Sequence, residues 1–226
     1  MSLAHARIED ILVGGPKSLT DARGVWESSI RRQRSDGPVQ VGTRGIVGDK
    51  VTQPYHGGPD AALCVHLADH YQFWRERYGV ALEAGAVGEN LTVGGLTEDQ
   101  ACAGDVVRLG SVLAQVSGPR VPCANLARRI GRTDWVRLTI RENRSGFYLR
   151  VLEAGVVQAG DAWVVEERFD AEASIPKINR CMYLDFDATY AKRMLEMRGL
   201  GEWWKTQAGE KLIARGEHWT EMMKDE

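Results

Sequence analysis

Apolar and polar positions alternate in short runs through most of this chain, a spacing that predicts half-buried strands. Ile8 to Val13 reads as an opening strand, stopped by Gly14-Gly15-Pro16, with Lys17-Ser18 in the loop that follows. Val39 to Val41, Ala61 to His66, Leu91 to Val93, Val112 to Ser117, Gly146 to Val151 and Gly155 to Gln158 read as further strands. Gly104-Asp105 and Gly160-Asp161 each lead into another apolar run, and Gly48-Asp49 is a third such pair with polar residues after it. The Gly-Asp pairs read as turns of a curved sheet. Trp26 to Arg34 mixes one aromatic with many charges and predicts an exposed crossing. Many short strands with frequent glycine turns point to a barrel or sandwich rather than a wound α/β sheet.

A helical period shows in fewer places. Leu67, Tyr71, Trp74 and Tyr78 recur on one face, and Gly79 ends the run. A shorter pattern carries Leu126 and Ile130 and stops at Gly131; another, opened by Thr133 or Asp134, buries Trp135 and Leu138. The β texture ends near Phe169 to Pro176. Beyond it, Asp187 to Arg198 and Glu202 to Gly216 are helical, with Tyr190, Met194, Trp203, Trp204 and Leu212 among their apolar residues. The division is therefore a β domain over residues 1–170 and a small helical extension over 171–226. About 50 residues of short helices are marginal alone, so the extension should dock on the β domain or on a partner.

The 226 residues carry a net charge of −2, which argues against a general nucleic-acid binder. Basic residues are nonetheless dense in Arg31-Arg32-Gln33-Arg34 and from Arg128 to Arg144. The four cysteines, at 64, 102, 123 and 181, show no CxxC spacing. With no basic-then-apolar leader and no apolar run of membrane-spanning length, the expectation is a cytoplasmic protein with reduced thiols and no membrane contact. No Walker motif or dinucleotide fingerprint follows a strand. The oligomeric state is open, and a homodimer is compatible with the sequence.

The stretch richest in chemistry is Gln115 to Leu126. An apolar strand leads into Pro119-Arg120-Val121-Pro122-Cys123, with a helical pattern directly after. Pro122 suits the first turn of a helix, which would put Cys123 at the positive end of the helix dipole and near Arg120. Both favour a thiolate, a good nucleophile or soft metal ligand. The bland alternative is a small cysteine packed under a helix. Tyr55-His56-Gly57-Gly58-Pro59-Asp60 forms a tight loop in which glycine allows close approach of a ligand. Glu89 and Asn90 precede a strand, where satisfying local backbone is the commoner role and facing a pocket the alternative. Cys64, Cys102 and Cys181 look like ordinary packing.

Taken together, Gly45-Ile-Val-Gly-Asp49, His56-Gly-Gly-Pro-Asp60, His70-Tyr71 with Trp74, Gly88-Glu-Asn-Leu-Thr92, Gly95-Leu96, Gly104-Asp105 and Gln115-Val-Ser-Gly-Pro-Arg-Val-Pro-Cys123 form an ordered set. The set resembles the MOSC family, named for the C-terminal domain of molybdenum cofactor sulfurases, and within it the stand-alone bacterial type with a three-helix extension. The match runs from about Ile8 to Glu167. It implies a mainly-β, MOSC-type barrel with a few short helices, and a groove for molybdenum cofactor, a pterin dithiolene with a phosphate tail. Cys123 is then the molybdenum ligand or carries a persulfide. The implied activity is reduction of N-hydroxylated bases and amidoximes to the amine and water, with electrons from a donor protein. On this resemblance Arg120 and Arg128 are candidates for the phosphate, with Lys17 and Ser18 assisting and Gly57, Gly58 and Asn90 beside the cofactor. Asp49, His56 and Glu89 are candidates for pterin hydrogen bonds or proton delivery. The chain departs from the family pattern at Gly118, where Gln is common, and a changed pocket would follow.

Three other readings compete. A non-catalytic carrier would hold sulfur on Cys123 for delivery to other metalloenzymes. A zinc site would use Cys123, His56 and Glu89. An interaction module would rest on the helical tail, leaving the loops of the β domain unexplained.

Overall fold

In the computed structural model, which describes residues 5–52 and 57–216, thirteen strands and six helices are formed. First come β1 (Arg7–Val13), a hairpin of β2 (Lys17–Asp21) and β3 (Gly24–Ser28), then β4 (Gln33–Arg34), β5 (Val39–Gly42) and β6 (Gly45–Ile46). Next are β7 (Leu63–Leu67), α1 (Asp69–Tyr78), β8 (Leu91–Gly94), β9 (Val106–Leu109) and β10 (Val112–Pro119). After α2 (Ala124–Ile130) and α3 (Trp135–Arg141) the chain returns through β11 (Phe147–Glu153), β12 (Gly155–Val157) and β13 (Trp163–Glu167). It finishes with α4 (Ile175–Asn179), α5 (Ala188–Glu196) and α6 (Glu202–Ala214).

Eight strands make one sheet in the order β13-β9-β10-β11-β7-β8-β1-β4. Every pairing is antiparallel except β7 with β8, which α1 connects as a crossover. The sheet curls until β1 meets the lead-in to β13, where the Ile8 amide donates to the Asp161 carbonyl at 2.9 Å and the Trp163 amide to the Ala6 carbonyl at 2.9 Å. The mainly-β, barrel-like architecture is thus as the sequence predicts.

Period-two alternation decides what each face does. Leu63, Val65 and Leu67 of β7, Ala114 and Val116 of β10, and Phe147 and Leu149 of β11 pack into the inner core. Their alternates, including Cys64, His66 and Tyr148, face outward. Water does not reach most of that outer face. A second apolar cluster, holding Leu19, Ile30, Trp74, Leu126, Trp135 and Leu138, covers it with α1, α2, α3 and the β2–β3 hairpin. Trp74 and Trp135 meet with ring centroids 4.6 Å apart, so the aromatic stripe of α1 is core. Both faces of β7 are therefore buried, which is why it reads as an unbroken apolar run.

Two local expectations are corrected. Lys17-Ser18 is not a loop but the start of β2. Trp26 to Arg34 is an exposed crossing only in part: it begins inside β3, Ser28, Ser29 and Ile30 are buried, and Glu27, Arg31, Gln33 and Arg34 are exposed.

The C-terminal helices build a third cluster from Tyr190, Ala191, Met194, Leu200, Trp204 and Leu212, with Ala103 and Ala173 joining it. They dock on β10. The Gly201 amide donates to the Ser117 carbonyl at 2.7 Å, and the Glu202 amide to Asp60 Oδ2 at 3.1 Å. Gly118, with φ of +140°, lies against the Trp204 indole, so its missing side chain makes room for the extension.

Candidate functional site

A cavity of about 420 Å³ opens between the outer face of the sheet and the layer that covers it. Strand register builds its floor. Tyr148 of β11 pairs directly with Cys64 of β7, so both side chains stand on the same face. Asn90, one residue before β8, continues the row: the Cys64 amide donates to Asn90 Oδ1 at 3.1 Å, and the Asn90 amide to the Cys64 carbonyl at 2.8 Å. Asn90 Nδ2 then donates to Asp49 Oδ2 at 3.1 Å. Asp49 receives Arg32 through both carboxylate oxygens, at 2.8 and 2.7 Å, and the Gly14 amide at 2.8 Å. Tyr148, Cys64, Asn90, Asp49 and Arg32 all line the cavity, but Asp49 and Asn90 are committed to holding its wall.

Arg120 and Cys123 line the cavity too. The Arg120 amide donates to the Gly146 carbonyl at 2.9 Å, which keeps the residue in line with β11 after β10 ends. The residue is only 7 % exposed. Nη2 donates to the Val87 carbonyl at 2.6 Å, while Nη1 is buried with no hydrogen-bond partner among the described residues. Burial works against this charge, while the Coulombic influence of Cys64, then Tyr148 and Cys123, raises its pKa above the usual arginine range. Burial pushes the Cys64 thiol up, and Arg120, then Arg32, pull it down. Cys123 is half-buried and is the N-cap residue of α2, so Pro122 sits just outside the helix rather than in its first turn. Gly57 and Gly58 line the mouth, with hydroxyls from Ser28, Ser29 and Thr52 on the wall.

Not every candidate comes to this place. His56 lies outside the described residues. Glu89 is fully buried and turned away, accepting from the Tyr71 hydroxyl and from the Gly85 amide at 2.5 Å. It is a strut under α1, the commoner of its two roles. Lys17 and Ser18 are exposed on the hairpin and do not line the cavity. Arg128 is taken up by Asp21, with Nη2 to Oδ1 at 2.9 Å, and lies over the Trp26 ring; it pins the hairpin to α2 and holds the Asp21 carboxyl down at about 2. Two more of that arginine run are paired locally, Arg132 with Asp134 at 2.8 Å and Arg141 with Glu142 at 3.0 Å.

The sequence reading missed Cys64, Tyr148, Arg32 and Arg44 as lining residues. Alternation within the strands was the available signal for the first two, since each stands between core residues. Nothing local marked Arg32, whose place depends on the pairing with Asp49.

Among the described residues no three His, Cys, Asp or Glu side chains are placed to hold a metal ion. With Glu89 turned away, the zinc alternative lacks its carboxylate. No described helix is long and apolar enough to cross a membrane.

Comparison with known proteins fits this geometry. The family model for the MOSC domain matches residues 52–164. Uncharacterized protein YflK of Bacillus subtilis is 37 % identical over 195 residues, covering 85 % of this chain and 88 % of that protein. Protein YiiM of Escherichia coli is 32 % identical over 181 residues, covering 78 % and 81 %. A protein of Gibberella moniliformis named only as a reductase is 35 % identical over 161 residues, 70 % of this chain but 29 % of that longer one. The crystal structure of YiiM from Geobacillus stearothermophilus superposes with a TM-score of 0.78 at 35 % identity, covering 92 % of this chain and 99 % of that one.

Proposed function

The chain belongs to the MOSC domain family, and on that premise we propose that its cavity holds molybdenum cofactor and that the protein is a reductase of N-hydroxylated compounds. The observation that carries this reading is Arg120. A buried guanidinium with an unpartnered N–H and no carboxylate bonded to it is costly unless an anion joins it. An anionic pterin dithiolene with a phosphate tail meets that need, and the described residues fit it. Cys123 offers a sulfur donor at the same cavity, and soft thiolate suits such a metal.

When bound, the cofactor supplies two-electron redox chemistry that no side chain can provide. The chain's own part is to bind and orient. Cys123 would hold the metal. Arg120 would neutralise an anionic group of the cofactor, its planar fork suiting bidentate contact. Ser28, Ser29 and Thr52 offer hydrogen bonds to ring nitrogens and oxygens. Asp49, Arg32 and Asn90 keep the wall rigid, so the bound group meets a preformed surface. The reductase name of the fungal relative supports the reaction class. The reading carries with it an electron-donor protein as partner and a cytoplasmic setting.

The test is metal and pterin analysis of protein made in cofactor-competent cells, alongside reduction of a hydroxylamino-purine with an artificial donor. Near-stoichiometric molybdenum with amine formation is the expected result. Trace metal with one extra sulfur atom on Cys123 would instead establish the sulfur carrier.

A further inference from the structure

Tyr148 stands out among the lining residues because it is a protonated oxygen acid beside a buried cation. Its phenol shares the floor with Cys64, its cross-strand partner, and lines the cavity with Arg120 and Cys123. Burial, and next the Cys64 neighbour, push its ionisation up, while Arg120 pulls it down, so the proton is kept through the neutral range. The carboxylates are otherwise engaged. Both Asp49 oxygens are bonded to Arg32, and Glu89 is sealed under α1.

Resting on the reductase reading above, we propose that Tyr148 is the catalytic acid that protonates the departing hydroxyl oxygen of an N-hydroxylated substrate. Reduction of the N–OH group consumes two electrons, which a reduced donor protein supplies, and two protons. As the N–O bond breaks, the phenol proton goes to the oxygen, which leaves as water. The second proton reaches the nitrogen from solvent at the cavity mouth, completing the N–H bond. The phenolate left behind faces the Arg120 guanidinium, a permanent cation that only donates hydrogen bonds. Solvent then returns the proton to the phenol. Arg120 thus serves twice, toward the anionic cofactor and toward the transient phenolate.

Tyr148→Phe in cofactor-loaded protein tests this with three readouts. Molybdenum and pterin per chain, and the Kd for a hydroxylamino-purine measured without electron donor, should equal wild type. Turnover should fall about 100-fold or more, the range for loss of a general acid, with partial recovery in buffers of small diffusible acids. Full turnover in the variant would overturn the proposal. So would a loss of turnover that only tracks a loss of cofactor, or a collapse in His56→Ala while Tyr148→Phe stays active. A wild-type protein that takes up no molybdenum would remove the reductase reading itself, a different result from an active wild type with an equally active Tyr148→Phe.

Discussion

Trp204 donates its indole N–H to the Pro119 carbonyl at 3.0 Å, alongside the bare backbone of Gly118. This contact fastens the C-terminal extension to the strand whose next residue is Arg120. A Cβ on Gly118 would lie 2.7 Å from the indole ring, on a backbone with φ of +140° that side chains rarely adopt. Gly118→Ala should therefore destabilise the fold by about 2 kcal/mol, from strain and overpacking together. The measurement is the urea midpoint with tryptophan emission as the probe. Identical unfolding of variant and wild type would show that the extension is not pinned here.

Removing the buried charge should separate stability from binding. Arg120→Met replaces an uncompensated cation by an apolar chain of similar reach, and such exchanges are commonly neutral or stabilising. It leaves the Val87 carbonyl without its donor, a cost of about 1 kcal/mol. The cofactor-free variant should melt within a few degrees of wild type while pterin retention, read by fluorescence after denaturation, is lost. Equal retention would mean that the anion is held by other residues.

The cysteines should divide by whether they line the cavity. Cys123→Ser should lose metal with an unchanged circular dichroism spectrum, because the half-exposed residue is not in the inner core. Cys102→Ala and Cys181→Ala should keep it, since neither lines the cavity. The sequence places Cys64 among ordinary packing residues, yet it faces the cavity, so Cys64→Ala should lower metal content. Metal analysis of the four variants, each scaled to folded protein, decides the matter.

Local patterns made the strands and α1 legible, because alternation and helical period report which face is buried. Gly79 as the left-handed cap of α1 and the Trp74 stripe both follow from such patterns. The site was legible only where one segment carries it, as with Arg120 and Cys123, or where motifs resemble a known family, as with Asp49 and Asn90. What escaped was register. Nothing near Tyr148 in sequence says that it will pair with Cys64, 84 positions earlier, nor that Arg32 will meet Asp49. The arginine run from Arg128 is the converse case, since Asp21, Asp134 and Glu142 neutralise Arg128, Arg132 and Arg141.

Buried titratable groups outside the cavity set the pH at which the fold is most stable. Burial, aided by Arg144, lowers His70 from the usual 6.5 to about 3, and burial with His70 beside it lowers His66 well below 6.5. In the window from about 6.5 downward the unfolded chain binds these protons and the folded one does not, so stability falls as pH falls. Glu98 runs the other way. Burial raises it from 4.5 to about 8, against the hydrogen bond that its Oε1 accepts from the Gly146 amide at 2.5 Å. Between those values the folded state holds a proton that the unfolded state has released, so stability falls as pH rises. Two histidines outweigh one carboxyl below 6.5, and the carboxyl acts alone above it, which places the maximum near pH 6.5. Each group contributes at most about 1.4 kcal/mol per pH unit within its window. Glu98→Gln keeps the acceptor for Gly146 and removes the titration, so its urea midpoint should hold steady from pH 6.5 to 8 where wild type declines. A decline of the same slope in the variant would show that Glu98 is not the group responsible.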